Sequence, residues 1–231
     1  MTASFNRLRA RLHDGRILKV DDWSVADSET WGIIGTNGSG KTVLSRLFAG
    51  DVRLSEGDVS GLPDHVLYVS LEAQRELIER ERHEDESDLM DRMDIGTLVS
   101  ELLHPVDEVQ DWIDKLRLGH LLEQGFRSLS TGESRKVLLV DAIRRKPELL
   151  TLDEPLEGLD AESRELLEEA LSDLHASGQR MLWVANRLDE LPHWVTHLAF
   201  VHDANLLMQG ARDEVLNAAE VHALMHFDKP L

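Results

Sequence analysis

Residues 35–42 read Gly35-Thr36-Asn37-Gly38-Ser39-Gly40-Lys41-Thr42, a complete match to G-x-x-x-x-G-K-[ST]. This octet constrains the fold more than any other feature of the chain. Backbone N–H groups converge on an anion only where glycines free the loop, and a helix N-terminus adds favourable potential. The loop therefore needs a buried strand before it and a helix after it. Trp31-Gly32-Ile33-Ile34 reads as the strand, and Val43, Leu44, Leu47 and Phe48 as a helical stripe with Gly50 as its stop. Gly35, Asn37, Gly38, Ser39 and Gly40 form the cradle, Lys41 is placed for the β- and γ-phosphates, and Thr42 for magnesium. The octet implies a chain that binds ATP with Mg2+.

A phosphate loop of this kind needs an acidic partner at the end of a neighbouring apolar strand. Leu149-Leu150-Thr151-Leu152-Asp153-Glu154 has that form. At the strand end the chain turns, so two adjacent carboxylates can serve one site, Asp153 at the metal and Glu154 as general base for the attacking water. Pro155 then ends the strand.

The remaining pattern supplies the frame. Residues 11–71 read as strand-rich, with Ile17, Val20, Trp23 and Val25 as a strand pair and 66–69 as a further strand. Residues 72–128 turn helical: a charge-dense stretch at 75–94 with Leu77, Ile78, Leu89, Met90 and Met93 as anchors, then amphipathic helices at 97–103 and 109–122. From Ser130 onward helix and strand alternate, with helices at 134–145 and 161–176 and strands at 149–152 and 181–185. The implied class is α/β: a phosphate-loop core on a mixed or parallel sheet, an N-terminal antiparallel β portion, and an inserted helical subdomain.

Composition narrows the partners. Among 231 residues there are 44 acidic and 25 basic ones, a formal charge of −19, so direct nucleic-acid binding is not expected. There is no cysteine, which removes disulfides, thiolate nucleophiles and cysteine zinc sites. Residues 1–12 are basic and lack a signal-peptide apolar run, and nothing approaches the roughly 20 apolar residues of a membrane-spanning helix. The expectation is a cytoplasmic chain that reaches a membrane, if at all, as a peripheral partner at the inner membrane.

Three further segments resemble the motifs of the ABC ATPases. Leu129-Ser130-Thr131-Gly132-Glu133 is similar to their LSGGQ signature, Gln74 stands where they carry the Q-loop glutamine, and Leu159-Asp160 is similar to their D-loop. The order of motifs is reproduced over nearly the whole chain. The resemblance implies one nucleotide-binding domain over 1–231, with 1–73 and 129–231 as core and 74–128 as helical subdomain. It also implies a head-to-tail ATP sandwich with a second such domain, in which Ser130, Gly132, Glu133 and Asp160 face the partner's nucleotide. Gln74 joins the magnesium and catalytic groups. Ser130 and Glu133 also have the spacing of a capping box, and the two readings are compatible. Within the family the likeness is strongest to the first half of tandem members with names linked to molybdenum transport and photorepair, carried also by 186–192. A second half is then expected.

The sequence also departs from the family. Where ABC domains carry a histidine that contacts the γ-phosphate, this chain has Asn186, followed by Arg187. An amide donates a hydrogen bond but carries no charge, so transition-state stabilisation should be weaker. Thr131 and Glu133 replace the usual Gly and Gln of the signature. His13 lies nearest the place of the family's adenine-stacking aromatic, and reads equally as an exposed turn residue. His193 and His197 are four apart without an evident third ligand, and acidic 83–86 reads as a solvated helix face or a mobile loop. Three functions follow: a motor for a membrane permease, a cytosolic twin-cassette ATPase, or a regulatory half that binds ATP and hydrolyses it slowly.

Overall fold

The computed structural model describes residues 2–83 and 96–226. Glu84, Asp85, Glu86, Leu89, Met90 and Met93 lie outside the described residues. Among the described residues nine strands form one sheet in the order β4-β1-β2-β9-β8-β3-β7-β6-β5. In chain order they are β1 (Thr2–Arg11), β2 (Ile17–Ala26), β3 (Trp31–Gly35), β4 (Leu54–Ser60), β5 (Val66–Val69), β6 (Leu149–Asp153), β7 (Met181–Ala185), β8 (His197–His202) and β9 (Asn205–Ala211). Strands β3, β6, β7 and β8 are parallel, whereas β1 with β2, β1 with β4, and β8 with β9 are antiparallel. The fold is thus α/β with a parallel core and an N-terminal antiparallel portion, as the motif order implied.

Residues 17–25 do not form a strand pair. They lie in the single strand β2, whose antiparallel partner is β1, a strand absent from the sequence reading. The cause is a shared break in alternation. Asp21 and Asp22 both face outward between the inward Val20 and Trp23, and opposite them Arg7 sits at φ 47°. In β1 the inward residues Ala3, Phe5, Leu8 and Ala10 change phase at the same place, so neither strand shows a clean period of two. Strands β4, β8 and β9 were likewise not anticipated.

Spatially the chain divides into two compact units, one of residues 1–67, 148–154 and 180–231, the other of 68–147 and 155–179. In the first, Phe5 stacks on Trp23 with centroids 5.1 Å apart, and Phe48 and Trp31 meet Trp23 edge-on. These rings lie in a core with Leu8, Leu18, Val20, Ile33, Leu44 and Val184. Each buried ring contributes a large apolar area, which fixes the strands that carry it.

The second unit holds α2 (Leu71–His83), α3 (Val99–Leu102), α4 (Gln110–Lys115), α5 (Thr131–Arg144) and α6 (Ala161–Ala176), whereas α1 (Lys41–Arg46), α7 (Arg212–Leu216) and α8 (Ala219–His226) belong to the first. The expected helices at 97–103 and 109–122 are shorter, α3 and α4, with 3-10 turns at Val106–Val109 and Gly119–Leu121. A cis His104-Pro105 bond separates the two. Val99, Leu103, Ile113, Leu116, Leu118 and Phe126 are nonetheless buried, so the apolar stripes were read correctly although helical length was not.

Candidate nucleotide site

Strands β6, β7 and β3 are neighbours, and their registers align Ile34 with Ala185 and Asp153 with Val184. The loops leaving their carboxyl ends therefore emerge together at one sheet edge, where open α/β sheets bind ligands. Those loops carry 35–42, Glu154 and Asn186.

Gly35 begins the loop and tolerates no side chain, since a Cβ there would stand 2.0 Å from the Val201 carbonyl oxygen. Gly40 precedes α1 in the left-handed region, at φ 105°. Lys41 is 5% exposed and donates through Nζ to the Thr36 carbonyl at 3.0 Å. Burial pushes its pKa down, opposed by Glu154, Asp153 and Glu190. A buried ammonium held at the inner wall of a glycine loop is a cation poised for an anion.

The Thr42 hydroxyl donates to Asp153 Oδ2 at 2.8 Å, although 111 positions separate them in sequence. Asp153 is 9% exposed. Two hard oxygen donors at this spacing suit magnesium, whose other ligands would be phosphate and water. Among the described residues no cluster of three His, Asp or Glu offers an alternative metal site. His193 and His197 do not share a helix. His197 opens β8, where its ring stacks on Trp31 at 5.1 Å and its Nε2 lies 3.5 Å from Glu29.

Glu154 follows Asp153 with φ 50° and donates its N–H to the Val184 carbonyl at 3.0 Å. A left-handed backbone at a non-glycine residue costs about 1–2 kcal/mol. Here the kink turns the chain at the strand end, as the sequence reading required for two carboxylates to serve one site. Asn186 follows β7 half-buried, and its Oδ1 is without a hydrogen-bond partner. Rotation about χ2 exchanges that oxygen for the Nδ2 donor. Arg187 is exposed and pairs with Asp189, as a solvent-facing residue would.

The second unit collects the other motif residues. Ser130 caps α5: its Oγ accepts from the Glu133 N–H at 3.3 Å, while its N–H and hydroxyl donate to Glu133 Oε2 at 2.8 and 2.7 Å. The Ser130 hydroxyl and N–H hold the Glu133 carboxyl below its ordinary pKa. The capping box is thus formed in full. Gln74, in the first turn of α2, is buried and donates to Ser134 Oγ at 2.7 Å, and Ser134 in turn donates to the Ser130 carbonyl at 2.8 Å. Gln74 Oε1 is buried without a partner. Asp160 caps α6 by accepting from the Ser163 N–H at 2.9 Å, and this bond lowers its pKa. Gly132 packs directly on that helix start: a Cβ there would stand 2.9 Å from Ser163 Oγ. Ser130→Ala is expected to cost about 1 kcal/mol in chemical denaturation, with Ser130→Thr restoring most of it. An unchanged Ser130→Ala midpoint would mean the cap contributes nothing.

Sequence reasoning missed one contributor. His13 is exposed in the β1–β2 turn, whereas Arg16, three residues on, donates to the Gly38 carbonyl. The reading of His13 as an exposed turn residue holds, but nothing local foretells which way Arg16 points.

A phosphate-loop ATPase cassette is what this fold and these motifs define. The family model described as ABC transporter matches residues 18–157, and the chain belongs to that family. It is an ATP-binding ABC ATPase domain. Among curated proteins it is 35% identical over 227 residues to the ABC transporter ATP-binding protein ModF of Escherichia coli K12, covering 95% of this chain and 46% of the relative. It is 32% identical over 199 residues to the zinc import ATP-binding protein ZnuC of Psychrobacter arcticus, covering 85% and 72% respectively. A solved ADP conformation of an ATP-binding cassette from an ABC transporter superposes with a TM-score of 0.69 at 20% identity, over 99% of this chain and all of that one. The chain thus spans under half the length of the ModF protein it matches. No helix among the described residues is long and apolar enough to cross a membrane.

Proposed function

We propose that this chain, as a single cassette over 1–231 with 74–128 as its helical subdomain, is one half of an ATP sandwich that couples nucleotide binding to a partner. The observation that carries this reading is the meeting of Thr42, Asp153 and buried Lys41 at one sheet edge. Gly35, Asn37, Gly38, Ser39, Gly40 and Lys41 would bind the phosphates, with magnesium held by Thr42 and Asp153, and the family resemblance adds Gln74 to the metal and catalytic groups. Bound there, the cation would offset phosphate charge. Glu154 orients and deprotonates the attacking water, and Asn186 donates to the γ-phosphate. Ser130, Gly132, Glu133 and Asp160 face the nucleotide of the second domain, either another copy or a second half.

One feature supports a site that holds ATP longer than it hydrolyses it. Asn186 is uncharged where a cation would stabilise the transition state best. Glu133 acts instead on the second domain's nucleotide, where its carboxylate, itself engaged with Ser130, would oppose an approaching γ-phosphate. The destination we favour is transport through a membrane permease, with this chain cytoplasmic and peripheral at the inner membrane. Molybdate rests on the resemblance to ModF. The second reading is a soluble twin-cassette ATPase with a repair or regulatory role. Single-turnover ATP hydrolysis by the chain, alone and with a second half added, tests the proposal. The expected result is slow turnover alone and faster turnover in the pair. Rapid turnover by the chain alone, abolished by Glu154→Gln, would overturn the slow-site reading. Copurification of a permease favours transport, and its absence under stringent conditions favours the soluble reading.

A further inference from the structure

The β1–β2 turn and the β8–β9 turn both reach the outer face of the phosphate loop. Arg16 spends all three guanidinium nitrogens there: Nε on Asp14 Oδ2 at 2.7 Å, Nη1 on Asp203 Oδ1 at 3.1 Å, and Nη2 on the Gly38 carbonyl. The neighbouring loop carbonyl is also held, because the Ala204 N–H donates to Ser39 O at 3.0 Å. Ala204 in turn accepts from the Lys19 N–H at 2.8 Å. Asp203 and Ala204 adopt φ 43° and 57°, the left-handed pair of a type I′ hairpin turn, without a glycine at either position. Alanine pays for that conformation, and here it places one N–H on the loop and one carbonyl on β2.

The consequence follows from peptide planarity. A trans peptide points its C=O and N–H in opposite directions, so fixing a carbonyl from outside aims the attached N–H inward. Ala204 on Ser39 O orients the Gly40 N–H. Arg16 on Gly38 O orients the Ser39 N–H, which donates to Thr36 O at 3.1 Å. Thr36 O is also the acceptor of Lys41 Nζ. A charged donor at one end thus polarises a hydrogen-bond chain that ends on the Thr36 carbonyl, the acceptor Lys41 also uses.

We propose that Arg16, braced by Asp14 and Asp203, is a positioning residue that holds the phosphate loop in its anion-binding shape before ligand arrives. Hydrogen bonds to Asp14 and Asp203 raise the Arg16 pKa, and Arg16 lowers that of Asp14. Both carboxylates fix the fork, with Nη2 itself 2.6 Å from Asp14 Oδ2 as it donates to the Gly38 carbonyl. This role rests on the proposed nucleotide site, yet it makes a statement about the loop itself.

The test compares wild type, Arg16→Ala and Arg16→Lys in two readouts. In the first, MgATP and magnesium tripolyphosphate are titrated separately. Arg16→Ala is expected to raise the dissociation constant of both by a similar factor, about five- to tenfold, with Arg16→Lys intermediate and the melting temperature of the free protein unchanged. A penalty for ATP but not for tripolyphosphate would overturn the proposal, because it would make Arg16 a base contact instead. Unchanged affinity for both would overturn it equally. In the second, amide hydrogen exchange is followed without ligand. Faster exchange at Ser39 and Gly40 in Arg16→Ala supports the latch even if wild type binds neither ligand, in which case the nucleotide-site reading fails by itself. Unchanged exchange there, with no binding, overturns both.

Discussion

Lys41→Ala is expected to reduce MgATP affinity by on the order of 100-fold while the free protein melts close to wild type. A charge-assisted hydrogen bond in a sheltered site contributes about 1.5–3 kcal/mol, and each 1.4 kcal/mol is tenfold in affinity. The lysine is 5% exposed, and Glu154, Asp153 and Glu190 all act on its charge. Removing it leaves those three carboxylates facing an incoming polyphosphate without compensation, which places the loss at the upper end. The fold itself loses one bond to the Thr36 carbonyl, and the loop keeps its outer supports. Equilibrium dialysis with MgATP beside a thermal melt separates the two effects. Retention of affinity within threefold would remove Lys41 from the site.

Asn186→His is expected to raise single-turnover hydrolysis by about 10- to 100-fold. One well-placed donor to developing oxyanion charge is worth about 100- to 1,000-fold, and an amide already supplies part of it. An imidazolium adds the charge that asparagine lacks. The position follows β7 directly, and its half-buried amide oxygen has no internal partner to lose. The gain must disappear in Asn186→His combined with Glu154→Gln, since the water would then lack its base. If Asn186→His is no faster than wild type, Asn186 does not limit the reaction.

The parts of this site that were legible in the sequence are those built by short, continuous segments. The 35–42 loop, the β6 end with Asp153 and Glu154, and the helix starts at Ser130 and Asp160 each advertise themselves by local chemistry. β5, β7 and α6 took their expected bounds because each is a clean apolar run or stripe between turn residues. The antiparallel edge was not legible. Its strand β1 carries three arginines and a phase break at Arg7, and only pairing with β2 reveals Phe5 and Leu8 as core. Arg16 escaped for a related reason. Its partner Asp203 is 187 positions away, and no local pattern encodes a contact that the β8–β9 turn creates. Long-range pairing, rather than propensity, made the difference in both cases.

Gly132 of the signature segment and Ser163 in the first turn of α6 are near neighbours through space, with 2.9 Å between the serine hydroxyl and the place a Cβ would take. Neither position can drift freely. A residue larger than glycine at 132 meets the Ser163 hydroxyl first and the Ser163 Cβ at 3.3 Å, so that side chain must turn away or shrink in the same lineage. The two helix starts are therefore bound to a common history, and surveys of descendants should find changes at one accompanied by changes at the other.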